Sequence, residues 1–368
     1  MQVLSLNLRD FRSYYDVTVE LGDGLTVVTG PNGGGKTNLL EGLYFACTGR
    51  SCRTNNEREV VRFGAGTART LLTCQDADGR HELSVGFAPG QSKVMRADGA
   101  MVDRLLDVTG RPLVSVFLPD RLELIKGAPA LRRAHLDQFI AALWPGRAAT
   151  RRLYGQALAQ RNALIARIRA GRGSPTSLSS WDAQLARHGF ALMSDRRTAV
   201  AMIAEPFRHI GVALGLDSEP EVSYRPRSAA TDAGGLARDL AERIDSDLER
   251  GFTGHGPHRD DLSTEHEGHD LRAYGSQGQQ RLALLALLLA ERGVLADHRP
   301  SAPVMLLDDV MSELDRDRRQ ALVDLLRSSP GQSVITATDL EHVPGSTDQD
   351  IAHLAVADGC LLAMAAPA

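Results

Sequence analysis

Several things are scarce in this chain, and each scarcity narrows what it can be. Only 4 of 368 residues are cysteine, and Cys47, Cys52, Cys74 and Cys360 show no C-x-x-C spacing. That argues against a disulfide framework or a structural zinc site and points to a reduced, cytoplasmic protein. Lysine is nearly missing: of 42 Lys and Arg residues, only Lys36, Lys93 and Lys126 are lysines. A formal net charge of −4 gives no global attraction to nucleic acid, so any such site must be a local patch. The longest apolar run, Leu282 to Ala290, is far short of the ~20 residues that span a bilayer. The stretch from Met1 has no basic segment followed by an apolar core, so no secretory signal is expected. Repeats and low-complexity tracts are missing too.

Against these absences stands one dense motif. Gly30-Pro31-Asn32-Gly33-Gly34-Gly35-Lys36-Thr37 fits G-x-x-x-x-G-K-[ST], the phosphate-binding loop, at every required position. Glycines let successive backbone N–H groups turn inward as an anion nest. Lys36 adds a mobile charge that reaches the β- and γ-phosphates, and the Thr37 hydroxyl suits Mg²⁺. Leu25 to Thr29 reads as a buried strand entering the loop. Thr37 to Cys47 reads as a helix leaving it, with Asn38 in its first turn and its positive dipole end at the phosphates. ATP with Mg²⁺ is the expected cofactor.

With 43% hydrophobic residues and 368 positions, the chain can form two domains or one large domain with an insertion. Residues 2–9 and Val17 to Leu21 suit strands, and short β-type runs from about 58 to 116 suit an antiparallel sheet beside the nucleotide core. Pro119 to Asp137 joins this part to a helical texture. Leu153, Tyr154, Ala157, Leu158, Leu164, Ile165 and Ile168 then recur at helical spacing. A second helix over about 178–214 carries Pro206 as a kink, and one more amphipathic helix covers 232–250. After the polar run Thr253 to Asp261, a strongly apolar helix is expected over 279–292. Buried strands at Pro303 to Leu307 and Ser333 to Thr338 follow, and 351–364 reads as an edge hairpin. The division expected is an α/β ATPase head at 1–130 and 251–368, interrupted by a helical arm at 131–250.

A phosphate loop alone does not hydrolyse ATP. The apolar strand ending in Asp308-Asp309 supplies what is missing. Asp308 would hold Mg²⁺ through water, and Asp309 would polarise the attacking water. Asp is one methylene shorter than the Glu usual there, so slow hydrolysis is expected. Ser276-Gln277-Gly278-Gln279, just before a helix, forms another anion site. It cannot duplicate the phosphate loop on the same phosphate, so it is assigned to the γ-phosphate held by a second copy, with ATP clamped between two protomers. Ordinary helix capping by Ser276 is the plainer reading.

These motifs in this order resemble the ABC/SMC class of ATPases, and within it the chain is similar to the RecF family. Three patterns carry the likeness: Pro119 to Asp137 with Gly127-Ala128-Pro129 and Arg132-Arg133; Gly256-Pro257-His258-Arg259 with Asp261; and Leu306-Leu307-Asp308-Asp309 to Asp315. Leu8-Arg9-Asp10-Phe11-Arg12-Ser13-Tyr14 also fits. The resemblance implies an ABC/SMC-type head with a flanking antiparallel sheet and a shortened helical arm. It implies a slow ATPase of recombinational repair that dimerises on ATP, binds duplex and gapped DNA, and works with RecR and RecO to load RecA. Ser312 and Asp315 would belong to the D-loop facing the partner. There are departures. No glutamine of the usual kind follows the phosphate loop, and Asp120 or Glu123 stands in question for that role. The switch histidine near Thr338 is missing, with Thr338 in its place. The ATPase subunit of a membrane transporter is the alternative, which both departures and the helical insertion disfavour. A scaffold with a degenerate site is opposed by the intact Lys36, Thr37 and Asp308.

Residues 131–173 carry nine arginines against one aspartate, a local patch opposing the net charge. Arg132, Arg133, Arg151 and Arg152 are candidates for holding DNA phosphates without base reading. His258 and Arg259 are candidates for touching DNA or transmitting nucleotide state, a structural turn being the alternative. Arg12, Arg50 and Arg53 are candidates for the nucleotide's base or phosphates. His255 and His258 lack a third ligand, so no metal besides Mg²⁺ is expected.

Overall fold

The structure, a computed structural model, describes residues 1–118 and 122–365, with the side chains of 363–365 left out of the description. Pro119, Asp120 and Arg121, part of the expected junction, lie outside the described residues.

Three strands open the chain: β1 (Gln2–Phe11), β2 (Tyr14–Glu20) and β3 (Leu25–Thr29). The phosphate loop leads from β3 into α1 (Lys36–Thr48). β4 (Ala68–Asp76), β5 (Gly79–Phe87), β6 (Val94–Ala97), β7 (Ala100–Val102) and β8 (Val114–Phe117) follow. The helical part comprises α2 (Glu123–Lys126), α3 (Pro129–Leu143), α4 (Ala148–Arg169) and α5 (Ser179–Ala213). Then come β9 (Glu221–Arg225), α6 (Ala233–Ala241), α7 (Ile244–Arg250), β10 (Asp261–His266), β11 (His269–Asp270) and α8 (Leu271–Tyr274). The chain closes through α9 (Gln277–His298), β12 (Val304–Leu307), α10 (Arg316–Ser328), β13 (Ser333–Ala337), β14 (Ala352–Ala357) and β15 (Cys360–Ala365).

Two compact units result, Met1–Arg121 with Arg292–Ala368, and Leu122–Glu291. The first contains two six-stranded sheets. One is antiparallel in the order β2-β1-β4-β5-β6-β7; the other runs β15-β14-β3-β13-β12-β8, parallel except for the final hairpin. Helix α1 packs between them: Leu39, Leu40, Leu43 and Phe45 share one core with Leu6 and Leu72 of the antiparallel sheet and with Val28, Leu306 and Val334 of the parallel one. β3, β12 and β13 are buried along their whole length, as a continuous apolar run in a covered parallel sheet requires. In β1 the alternation is broken by a register shift between Val3 and Ser5, so Val3, Leu6 and Leu8 all reach the core.

In the second unit, α4 and α5 pack together, with Tyr154, Ala157, Leu185 and Leu192 in one cluster. α5 is helical through Pro206. Two things depart from the sequence-based expectation. Residues 232–250 form two helices, with the break at Glu242–Arg243. Strand β9, in a stretch expected to be helical, pairs with β10 from Asp261↔Arg225 to Glu265↔Glu221. That pairing is non-local and leaves no periodic trace. It ties residues after 251 to the helical unit, so the division falls at 121/122 and inside α9 at 291/292 rather than at 130 and 251.

Candidate functional site

The first unit's site is built at the ends of parallel strands. β3 lies between β14 and β13 and delivers the chain into the phosphate loop at the head of α1. Gly35 has φ +114°, and a Cβ there would stand 2.9 Å from the Tyr14 hydroxyl, so only glycine fits. Lys36 Nζ folds back over the loop, donating to the carbonyls of Gly30 at 2.7 Å and Pro31 at 3.1 Å.

Two strands away, β12 is followed directly by Asp308, which is 6% exposed. Thr37 Oγ1 lies 3.0 and 2.8 Å from its two carboxylate oxygens, and Thr336 Oγ1 donates to it at 2.8 Å. Burial pushes the Asp308 carboxyl above its ordinary value; the two hydroxyl donors oppose that shift, and Asp309's charge adds to it. A buried carboxylate facing a threonine hydroxyl with only neutral donors favours a cation at that point, and the donor set of oxygens suits Mg²⁺. Thr37 and Asp308 are the residues that would hold it. Asp309 sits in the left-handed region at φ 45°, its N–H donating to Thr336 Oγ1 at 2.8 Å. A cavity of about 220 Å³ opens here, lined by Asn32, Lys36, Thr37, Asn38, Arg53, Asp308 and Asp309 among others. The hydroxyl of Thr336 was not anticipated; its only sequence signal is a polar residue inside an apolar strand.

Of the three arginines proposed for the nucleotide, one is committed elsewhere. Arg12 makes paired 2.8 Å bonds to Glu41 of α1, a carboxylate with a fully buried side chain. Ser51 Oγ also donates to Glu41, at 2.5 Å. Arg53 reaches both Glu41 at 3.3 Å and Asn38 Oδ1 at 3.1 Å and lines the cavity. Arg50 is exposed. Sequence reasoning missed Glu41, because its partner Arg12 lies 29 residues away.

Thr338, which stands where a switch histidine was expected, does have an imidazole beside it. Its hydroxyl is 3.1 Å from Nδ1 of His342, and both residues line a second cavity with Gly30 and Pro31. In the D-loop segment, Ser312 Oγ donates to the Asp309 carbonyl at 2.8 Å, and Asp315 caps α10 by accepting the Arg318 N–H at 2.9 Å.

In the second unit, Ser276, Gln277 and Gly278 are exposed at the start of α9. Ser276 Oγ accepts the Gln279 N–H at 3.2 Å, and Gln279 Oε1 accepts the Ser276 N–H at 2.9 Å. This is a reciprocal capping box, so the capping reading holds. The hydroxyl hydrogen of Ser276 and the N–H groups of Gln277 and Gly278 remain outside that pair.

The arginine patch fares differently. Arg132 is 3% exposed, with paired 2.8 Å bonds to Asp261 and further bonds to the carbonyls of Ile125 and Gly127. Arg161 is fully buried between Asp182 and Asp247. Arg133 donates to the Asp260 carbonyl at 2.8 Å, and Arg151, though exposed, lies 3.2 Å from Asp137. Arg152 is exposed on α4, and Arg259 is exposed with its guanidinium 5.2 Å from the Phe252 ring centre. His258 is engaged at both nitrogens, with Tyr154 Oη at 2.6 Å and the Thr253 carbonyl at 3.0 Å. Burial pulls its pKa down to about 4, so it is a neutral bridge within this unit. Assigning Arg132 and His258 to DNA is therefore corrected: folding has already used their donors. His255 and His258 gather no cluster capable of holding a metal among the described residues.

Comparison with known proteins follows the same lines. A family model described as an AAA domain matches residues 5–90. The chain is 33% identical over 349 residues to the DNA replication and repair protein RecF of Acetivibrio thermocellus, covering 93% of this chain and 94% of that one. It is 36% identical over 370 residues to the protein of the same name from Myxococcus xanthus, covering 98% and 96%. A solved structure of the recombination mediator protein RecF with ATP in the RecFOR pathway superposes with TM-score 0.84 at 27% identity, covering 99% of this chain and 98% of that one. An SMC head bound to the C-terminal winged-helix domain of ScpA shares the fold, with TM-score 0.62 at 17% identity. These likenesses do not favour the transporter-subunit alternative. Among the described residues, no helix is long and apolar enough to cross a membrane.

Proposed function

Because this chain belongs to the RecF family of DNA replication and repair proteins, we propose that it is an ATP-operated DNA clamp of recombinational repair. In this reading it binds ATP with Mg²⁺, pairs with a second copy across the nucleotide, and hydrolyses slowly. It holds duplex DNA near single-strand gaps and works with RecR and RecO to assist RecA loading. The observation that carries the reading is the meeting of Thr37 and Asp308 at the mouth of the phosphate loop. A bare phosphate-binding turn would not need a buried carboxylate aimed at the threonine.

The parts divide as follows. The loop amides and Lys36 bind the phosphates, and Thr37 with Asp308 would hold the metal, which supplies charge neutralisation at the β- and γ-oxygens. Asp309 orients the attacking water, and its short side chain accounts for slow turnover. Ser276 to Gln279 close the site from the second copy, using the hydroxyl hydrogen and first-turn amides outside the capping pair. Ser312 and Asp315 line the same junction. With Arg132 and His258 withdrawn, the DNA face rests on exposed side chains such as Arg152 and Arg259.

The test is sedimentation with and without ATP and duplex DNA. ATP is expected to produce a dimer. Ser276→Arg should still bind nucleotide and remain monomeric. ATP-driven association that is undiminished in this variant would refute the shared site.

A further inference from the structure

The phosphate loop is held from behind by two turns that come from opposite ends of the chain. Peptides that turn their N–H groups toward an anion turn carbonyls away from it, and buried carbonyls need donors. The Gly30 carbonyl receives its donor from Lys36 and must give it up when the ammonium moves to a phosphate, whereas Pro31 shares Lys36 but also accepts the Gly34 N–H at 3.0 Å. Gly34 and Gly35 are held differently. The Gly359 N–H donates to the Gly34 carbonyl at 3.2 Å, and the Tyr14 hydroxyl donates to the Gly35 carbonyl at 3.0 Å. That second carbonyl already accepts the Leu39 N–H of α1 at 2.9 Å, so Tyr14 fills its remaining lone pair. Tyr14 is fully buried, and burial, with a smaller effect from Cys360, pushes its phenol well up, which keeps it a donor. The two turns also touch. Gly359 has φ +71°, and a Cβ there would stand 2.2 Å from the Ser13 carbonyl oxygen.

We infer that Tyr14 is a positioning residue for the nucleotide's phosphates, and that the Asp358–Gly359 turn of the β14–β15 hairpin is its counterpart. Together they fix the peptides that carry the Gly34 and Gly35 carbonyls, so that the N–H groups of Gly35 and Lys36 face the ligand whether or not the Lys36 ammonium is engaged. Binding then need not order the loop, which is how preorganisation raises affinity. The inference rests on the reading that this loop takes ATP.

Tyr14→Phe keeps the buried ring and removes one donor. Titrated with fluorescent N-methylanthraniloyl ATP and ADP, it is expected to show both Kd values raised about 5- to 20-fold. The loss should be equal for the two, because the loop's backbone amides address the α- and β-phosphates. Turnover at saturating ATP should stay within about two-fold, giving a KM effect without a kcat effect. Both Kd values within about two-fold of the unaltered chain would overturn the inference, even if thermal unfolding came earlier. Gly359→Ala reaches the loop from the other side with the Tyr14 hydroxyl intact. It should reproduce the same pattern, and unchanged affinity there would remove the hairpin from the inference. If Tyr14→Phe does not fold, this variant decides alone. Failure of the unaltered chain to bind either nucleotide would instead bring down the reading of the loop itself, and the inference with it.

Discussion

The two units use their charged residues in opposite ways. In the first, the chemistry-bearing side chains gather in one short space: Lys36, Thr37, Asp308 and Asp309 all line the phosphate cavity. In the second, several arginines are turned inward and paired one by one, while Arg147, Arg151, Arg152, Arg167, Arg169 and Arg172 of the basic stretch stay exposed. Arg161 bridges Asp182 and Asp247, Arg196 pairs with Asp137, and Arg132 with Asp261. A run of positive charge in sequence is thus only a partial guide to which side chains are free, because carboxylates far along the chain claim some of them. A phosphate loop is a safer guide, because its chemistry is made by backbone geometry within eight residues.

This contrast can be broken by experiment. The largest effect is expected at Asp308→Asn, which should lower ATP turnover on the order of 10²–10³-fold, the usual cost of losing one electrostatic group at a reacting centre. Phosphate release measures it, and near-normal turnover would mean that the first unit's cluster is structural. Next is Arg161→Met in the second unit. It leaves two buried carboxylates unpaired and should lower unfolding free energy by about 3–5 kcal/mol in a urea titration. A loss of DNA binding without loss of stability would instead assign Arg161 to the ligand.

His258 sharpens the comparison through pH. Its folded pKa is about 4, below the 6.5 of the unfolded chain, so unfolding takes up a proton between those values. Its contribution is fully present above pH 6.5 and is lost as pH falls toward 4, at roughly 1.4 kcal/mol per unit at most. His258→Gln should flatten that part of a stability–pH curve; an unchanged slope would show that another group titrates there. The smallest effect is expected at Arg152→Glu. Stability should change by no more than about 0.5 kcal/mol, while duplex affinity falls and its salt slope shrinks by about one. Unchanged affinity and slope would remove α4 from the DNA face.

The sequence alone determined the phosphate loop with its strand and helix, the apolar strand ending in Asp308-Asp309, and the start of α9 at the serine-glutamine corner. Each is local: a periodic run, a glycine pattern or a cap within a few residues specifies it. Tertiary structure decided the rest. It brought Thr336 to Asp308, Arg12 and Ser51 to Glu41, and Tyr14 and Gly359 to the loop's carbonyls. It also paired β9 with β10, moving the boundary between the units. The physical reason is the same throughout. A buried donor or carboxylate must find its partner wherever the packed chain brings one, and nothing in the neighbouring residues records which partner that will be.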